Sequence, residues 1–246
     1  MSRGAVCFMR QADELSYAAE HLATIEINAT YYGSQKPASF AKWRDAAPAN
    51  FRYSVKASRY STNRKVLAEG EQSVAKFLNQ GIVELGDKLG PILWQFANTK
   101  KFEPDDFAAF LSMLPEKLEG LPLRHALEVR HESFCCAEFV ELAGKHGVAI
   151  VYADHEEYPA IADLTADFVY TRLQRSKDNI ATGYSKKALD KWARIARSWA
   201  QGHAPEGLQY VGASQPRAQA RDVYLYFISG AKHRNPAAAM AIAERL

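Results

Sequence analysis

Two periods alternate along this chain. Stretches with strand-type patterning at 23–28, 51–57, 91–97, 125–130, 148–154, 167–173 and 223–229 are parted by stretches whose apolar positions recur at helical spacing. The helical stretches fall near 12–22, 37–47, 72–85, 104–114, 133–146, 186–200 and 236–245. Pro104 with Asp105 and Asp106 suits a first turn, Ser133 suits a cap, and Asn235-Pro236 suits a helix start. Turns are expected at 120–122, 202–207 and 214–217.

Strand–helix alternation of this kind predicts a parallel sheet covered by helices. No Gly/Ser/Pro-rich linker divides the chain, so residues 1–246 are expected to form one domain. A doubly wound sheet shares the alternation, but the Gly-x-Gly-x-x-Gly turn of a dinucleotide site and the phosphate-binding Gly-x-x-x-x-Gly-Lys loop are both missing. A TIM-type (β/α)8 barrel is favoured. The pattern supplies seven good strands, and residues 4–8 make a poor eighth, so the first strand is expected to be lacking or degenerate. Residues 1–10 would then lie outside the sheet or form a weak edge. The resulting open edge between 23–28 and 223–229 would favour homo-oligomers.

Residues i and i+2 of a strand share a face. Ile25 and Ile27, Val55, Leu127 and Val129, Val151 and Ala153, and Val169 and Thr171 are expected to face the helices. Thr24, Glu26 and Asn28, Ser54 and Lys56, Glu128 and Arg130, Tyr152 and Asp154, and Tyr170 and Arg172 should then face inward, with Gln95 fitting more loosely. The charged inward positions fall at C-terminal strand ends, the face on which barrels carry their active sites. The set holds Glu26, Glu128 and Asp154 against Lys56, Arg130 and Arg172. An ion-pair network closing the barrel mouth and a ligand site are the competing readings. The ligand site is preferred, because buried charge rarely improves on apolar packing.

Composition narrows the function classes. The chain has 246 residues, 48% apolar, 24% charged and 11% aromatic, with a net charge of +3. That is an ordinary globular composition, too weakly basic for a polyanion-coating protein. No apolar run reaches membrane-spanning length, and the first residues lack the apolar core of a secretory signal. Three cysteines, Cys135 and Cys136 adjacent, make no disulfide framework, so a reducing cytoplasm is expected.

The strand ends also carry a resemblance. Glu26-Ile-Asn-Ala-Thr-Tyr-Tyr32 is similar to the Glu-x-Asn-x-Thr-Phe-Tyr segment of the YecE-like family, a domain of unknown function with a (β/α) barrel fold. Further segments follow in the family's order: Trp43 and Pro48 before Phe51-Arg-Tyr-Ser-Val-Lys56, Leu89-Gly-Pro-Ile-Leu-Trp-Gln95, Glu128-Val-Arg-His-Glu-Ser-Phe134, Asp154, Thr165 to Arg172, Leu189 with Trp192, and Asp222 to Phe227. The likeness implies a fold and a site map but no reaction. Two departures stand out. The family's glycine-rich first strand is absent, which implies a late start or a truncated barrel. Ile228-Ser229-Gly230 replaces a polar turn.

The candidate catalytic groups are therefore Glu26, Lys56, Glu128, His131 and Asp154, and the candidate ligand contacts Asn28, Tyr32, Gln95, Arg130 and Arg172. His131 is read as a general acid/base or as a loop histidine donating to a local carbonyl. Glu26 and Glu128 form an acid/base pair or are each held by a cation. Lys56 forms a Schiff base or, as the preferred reading, pairs with Glu26 or an anionic ligand. Glu26, Glu128, Asp154 and His155 resemble the ligand types of metal-dependent isomerase barrels, yet lack supporting spacing, so neither metal nor cofactor is expected. One cysteine of the Cys135-Cys136 pair is read as core and the other as incidental, and Trp94, Trp192 and Trp199 as packing residues. The loops add Arg59, Arg64, Lys65, Arg175 and Lys177 to the same end. An enzyme acting on a small anionic molecule, a nucleic-acid-binding or -processing barrel, and a non-catalytic ligand sensor are the three classes that fit. The modest net charge favours the small ligand.

Overall fold

The computed structural model describes residues 2–7, 12–212 and 218–246, with side chains in 15–212 and 218–246. The turn expected at 214–217 lies outside them. The strands are β1 (Ser2–Cys7), β2 (Thr24–Ile27), β3 (Arg52–Lys56), β4 (Leu89–Gln95), β5 (His125–Glu128), β6 in two halves (Ala149–Ile150 and Tyr152–Asp154), β7 (Phe168–Leu173) and β8 (Asp222–Phe227). Neighbours pair in parallel in the order Ala149–Ile150, β5, β4, β3, β2, β1, β8, β7, Tyr152–Asp154. The two ends of this order are halves of one strand, parted only by Val151, whose N–H donates to the Leu127 carbonyl at 2.9 Å.

One expectation is overturned here. Residues 2–7 are neither outside the sheet nor a weak edge: Ser2 lies beside Val223 and Ala5 beside Thr24, so β1 fills the gap between β8 and β2. Six residues are an ordinary strand length, and the backbones of two flanking strands require a partner whatever its side chains. The open edge, and the homo-oligomer argued from it, lose their basis.

The main helices are α1 (Ala12–His21), α2 (Pro37–Asp45), α3 (Glu71–Leu78), α4 (Pro104–Ser112), α5 (Ala137–Lys145), α6 (Lys186–Ala200) and α7 (Asn235–Ala243). They pack on one face of the sheet in two apolar clusters. The larger joins α1–α5 to β2–β5 through Ile25, Val55, Trp94, Leu127 and their neighbours, and the smaller joins α6 and α7 to β7 and β8 through Val169, Trp192, Trp199 and Leu225. The opposite face gathers Leu93, Ala126, Ala149, Val151, Phe168, Tyr170, Tyr224 and Tyr226 into a third cluster. Among the described residues, no helix is long and apolar enough to cross a membrane.

Two helical stretches are shorter than their patterns. The one at 72–85 stops at Leu78, because Gly81 turns left-handed at φ 107° and a Cβ there would lie 2.7 Å from Pro37 Cα. The one at 133–146 begins only at Ala137. Ser133 does not cap it; its hydroxyl accepts the Phe102 N–H at 2.8 Å instead.

The face assignments follow the alternation on β2, β3, β5 and β7, but β6 is inverted. Val151 belongs to the inner cluster, while Tyr152 packs edge-on against Trp192 of α6. The inner positions of β6 are small (Ala149, Val151), which leaves room for Tyr170, Tyr224 and Tyr226 across the sheet's inner face. The sequence reading had placed the polar residues inward, and here the aromatic helix surface claims the tyrosine.

Candidate functional site

Strand pairing brings the ends of β2, β5 and β7 to one side of the sheet, and their last charged residues meet there. Arg172 donates from Nε and Nη2 to Glu26 Oε2 and Oε1 at 3.1 and 3.0 Å, and from Nη1 to Glu128 Oε2. All three side chains are almost fully buried. The remaining lone pairs are also used. Tyr170 O–H donates to Glu26 Oε2 at 2.7 Å and Asn28 to Oε1 at 3.2 Å. Gln95 donates to Glu128 Oε2 at 2.7 Å, and Arg130 donates from Nε and Nη2 to Oε1 at 3.0 and 2.8 Å. Buried ion pairs persist when their geometry and hydrogen bonds are this complete. Burial pushes the Glu128 carboxyl upward, but Arg172, then Arg130, overcome it and bring its pKa down to about 2.

Arg172 therefore does not offer its fork to a ligand, as the sequence suggested, because all three nitrogens already serve carboxylates. Arg130 differs. Its Nη1 has no hydrogen-bond partner among the described residues, its side chain is 21% exposed, and its guanidinium lies 4.6 Å over the Tyr158 ring.

Lys56 ends β3 beside this cluster. Its residue surface is only 7% exposed, and its ammonium sits 4.1 Å above the Tyr31 ring. Among the described residues it forms neither a hydrogen bond nor an ion pair, so the expected direct pairing with Glu26 is not present. Burial, then Arg172, lowers its pKa to about 8, against the pull of Glu26 and Glu128.

Other candidates lie apart from these contacts. Asp154 pairs with Arg175 Nε at 3.2 Å, and burial raises its pKa while Arg175 opposes. The inverted face of β6 takes it out of the Glu26–Arg172–Glu128 cluster. His131 accepts the Ser133 N–H at Nδ1 (3.1 Å) and so caps a single 3-10 turn. Tyr32 is 69% exposed and stands perpendicular to the Tyr31 ring. His155 Nδ1 accepts from the Glu157 N–H. Among the described residues, no three metal-ligating side chains converge. Cys136 packs against the core and Cys135 is exposed.

Tyr170 joins the site on the face of Arg172, as its inward parity predicts, with its O–H on Glu26. Two site residues were not foreseen. Tyr31 and Tyr158 come from a four-residue helix and a loop, where periodicity says nothing. Beyond β3 and β4 lies a groove of about 850 Å³ lined in part by Thr62, Arg64, Lys65, Lys100, Lys101 and Asp106. Asp106 takes Lys100 at 2.6 Å.

A family profile described as "Protein of unknown function DUF72" matches residues 8–246. A search of curated proteins gives no match. Among solved structures, a DUF72 family protein from Enterococcus faecalis V583 superimposes with TM-score 0.71 at 19% identity, covering 100% of this chain and 98% of that one. A DUF72 family protein from Thermotoga maritima MSB8 gives 0.69 at 20% identity, covering 96% and 90%. SacUVDE gives 0.56 at 11% identity, covering 95% and 83%.

Proposed function

The chain belongs to the DUF72 family, and from that premise we propose that its sheet closes into an eight-stranded (β/α) barrel whose mouth binds a small anionic molecule, phosphorylated or carboxylated, as the substrate of an enzyme. Closure is supported by the two halves of β6, which pair with β5 on one side and β7 on the other. One observation carries the ligand reading. Glu26 and Glu128 stand against Lys56, Arg130 and Arg172, two acids against three cations, and the surplus is Lys56, which pairs with neither acid. Together with the open Nη1 of Arg130, it leaves a positive position at the strand ends where a carboxylate or phosphate gains charge-assisted hydrogen bonds.

Titration calorimetry with phosphate, sulfate and sugar phosphates tests this. Wild type is expected to bind, and Arg130→Ala to bind roughly tenfold to a hundredfold more weakly, the worth of one charged hydrogen bond. A well-folded wild type that binds none of them refutes the reading.

A nucleic-acid ligand is the second reading, favoured by the groove with Arg64, Lys65 and Lys101 at the same end. It requires affinity for oligonucleotides that falls steeply with salt. Binding of the small anions alone decides against it.

A further inference from the structure

Lys56 is more than a counter-charge. An anchoring lysine is best served by contact with solvent and by acceptors for its three N–H groups. Lys56 has neither: it is enclosed, lies over an aromatic face, and makes no hydrogen bond among the described residues. The groups that face it are Glu26 and Glu128, both already bound by arginines, the guanidiniums of Arg130 and Arg172, and the Tyr31 ring. A desolvated amine among other cations keeps an appreciable neutral fraction near neutral pH, the condition that makes lysine a nucleophile toward carbonyls. The pKa of about 8 agrees with this geometry.

We propose that Lys56 condenses with the carbonyl of a small anionic oxo compound, forming a Schiff base while Arg130 holds the compound's carboxylate or phosphate. The proposal rests on the anion-binding reading above and names its substrate class. The ammonium loses a proton and the freed lone pair attacks the carbonyl carbon, giving a carbinolamine. The C–O bond then breaks, and oxygen leaves as water with two of the three ammonium hydrogens. The product is a protonated imine, so charge and atoms balance without oxidant or reductant. The imine cation takes the place of the ammonium cation beside Glu26 and Glu128, so the local charge is unchanged by the step.

The test is borohydride trapping. Full-length protein is incubated with pyruvate, with dihydroxyacetone phosphate, or with neutral acetone, then reduced and mapped by mass spectrometry. A secondary amine at Lys56, formed with either anionic probe about tenfold faster than at any other lysine, supports the proposal. The faster anionic probe identifies the preferred anion. Loss of that adduct in both Lys56→Met and Lys56→Arg, each checked for a cooperative melt, supports it further. Calorimetric binding of either probe without an adduct at Lys56 overturns the Schiff base and leaves the anion site standing. Equal trapping of acetone keeps the nucleophile and overturns the anion requirement. Neither binding nor adduct overturns both.

Discussion

Arg172 joins Glu26 through a bidentate pair, at 3.1 and 3.0 Å, although β7 and β2 are separated in the sheet by β8 and β1. The pair thus ties strands that share no backbone hydrogen bonds. Replacing Arg172 by Met would leave Glu26 without its cation and Glu128 with only Arg130. The expected cost is about 3–5 kcal/mol of stability, the usual penalty for stranding a buried charge. Urea denaturation of the variant measures it, and a loss below about 1 kcal/mol contradicts the network described.

Arg130→Ala should behave differently. Glu128 keeps Arg172 and Gln95 when Arg130 is removed, and the Arg130 side chain is partly exposed. Stability is expected to fall by no more than about 1–2 kcal/mol, while affinity for phosphate or carboxylate collapses. A variant that unfolds like Arg172→Met would show that the two arginines are not separable in this way.

Lys56→Met is expected to stabilise the ligand-free protein. The folded pKa of about 8 lies below the ordinary 10.5, so the folded state binds fewer protons than the unfolded one between these values. This contribution is favourable above pH 10.5, is lost as pH falls to 8, and stays lost at pH 7. Removing the ammonium at pH 7 should raise stability by about 1–3 kcal/mol, as the size of the shift allows. Thermal melts compare the two proteins. An unchanged or lower midpoint counts against a strained Lys56.

His125 supplies an acid-side dependence. The Trp94 indole N–H donates to its Nδ1 at 3.1 Å, and its Nε2–H donates to the Pro115 carbonyl at 2.9 Å, which requires the neutral ring. Burial lowers its pKa to about 4, against the raising effect of the Pro115 carbonyl. The folded value is below the unfolded 6.5, so its stability contribution is complete above pH 6.5 and is lost as pH falls to 4. The loss should reach about 3 kcal/mol. Denaturation midpoints from pH 7 to 4 should drop more in wild type than in His125→Gln, whose side chain does not titrate.

Gly202 tests the backbone. It holds φ +89°, and a Cβ there would stand 2.3 Å from the Gln219 carbonyl oxygen. Gly202→Ala combines a left-handed penalty with a backbone clash, so a loss of at least about 1–2 kcal/mol is expected. A melt equal to wild type would place Gln219 elsewhere.

Much of the site was legible because strand parity is strict. Glu26, Lys56, Glu128 and Arg172 alternate with Ile25 and Ile27, Val55, Leu127, and Val169 and Leu173, so their face follows from the pattern. β6 defeated the same logic, because the face carrying Asp154 also carries Ile150 and Tyr152, and the small Ala149 and Val151 are the ones that turn inward. The strand at Ser2–Cys7 was missed since its role is backbone pairing, for which side-chain pattern carries little signal. Which arginine remains available was also beyond the sequence. That depends on Arg172 reaching two carboxylates and Arg130 only one, a matter of three-dimensional distance.

Tyr158 covers Arg130 in a particular direction. An aromatic ring meets a guanidinium through its flat surface, whereas a carboxylate or phosphate approaches along the rim, where the N–H bonds point. His155 stacks on Tyr158, with ring centroids 3.9 Å apart and ring planes 11° from parallel. Arg130 is held by Glu128 at Nε and Nη2 and lies over the Tyr158 ring, with Nη1 left open. Its outward N–H groups are thus aimed before any ligand arrives, and docking need not freeze a swinging side chain.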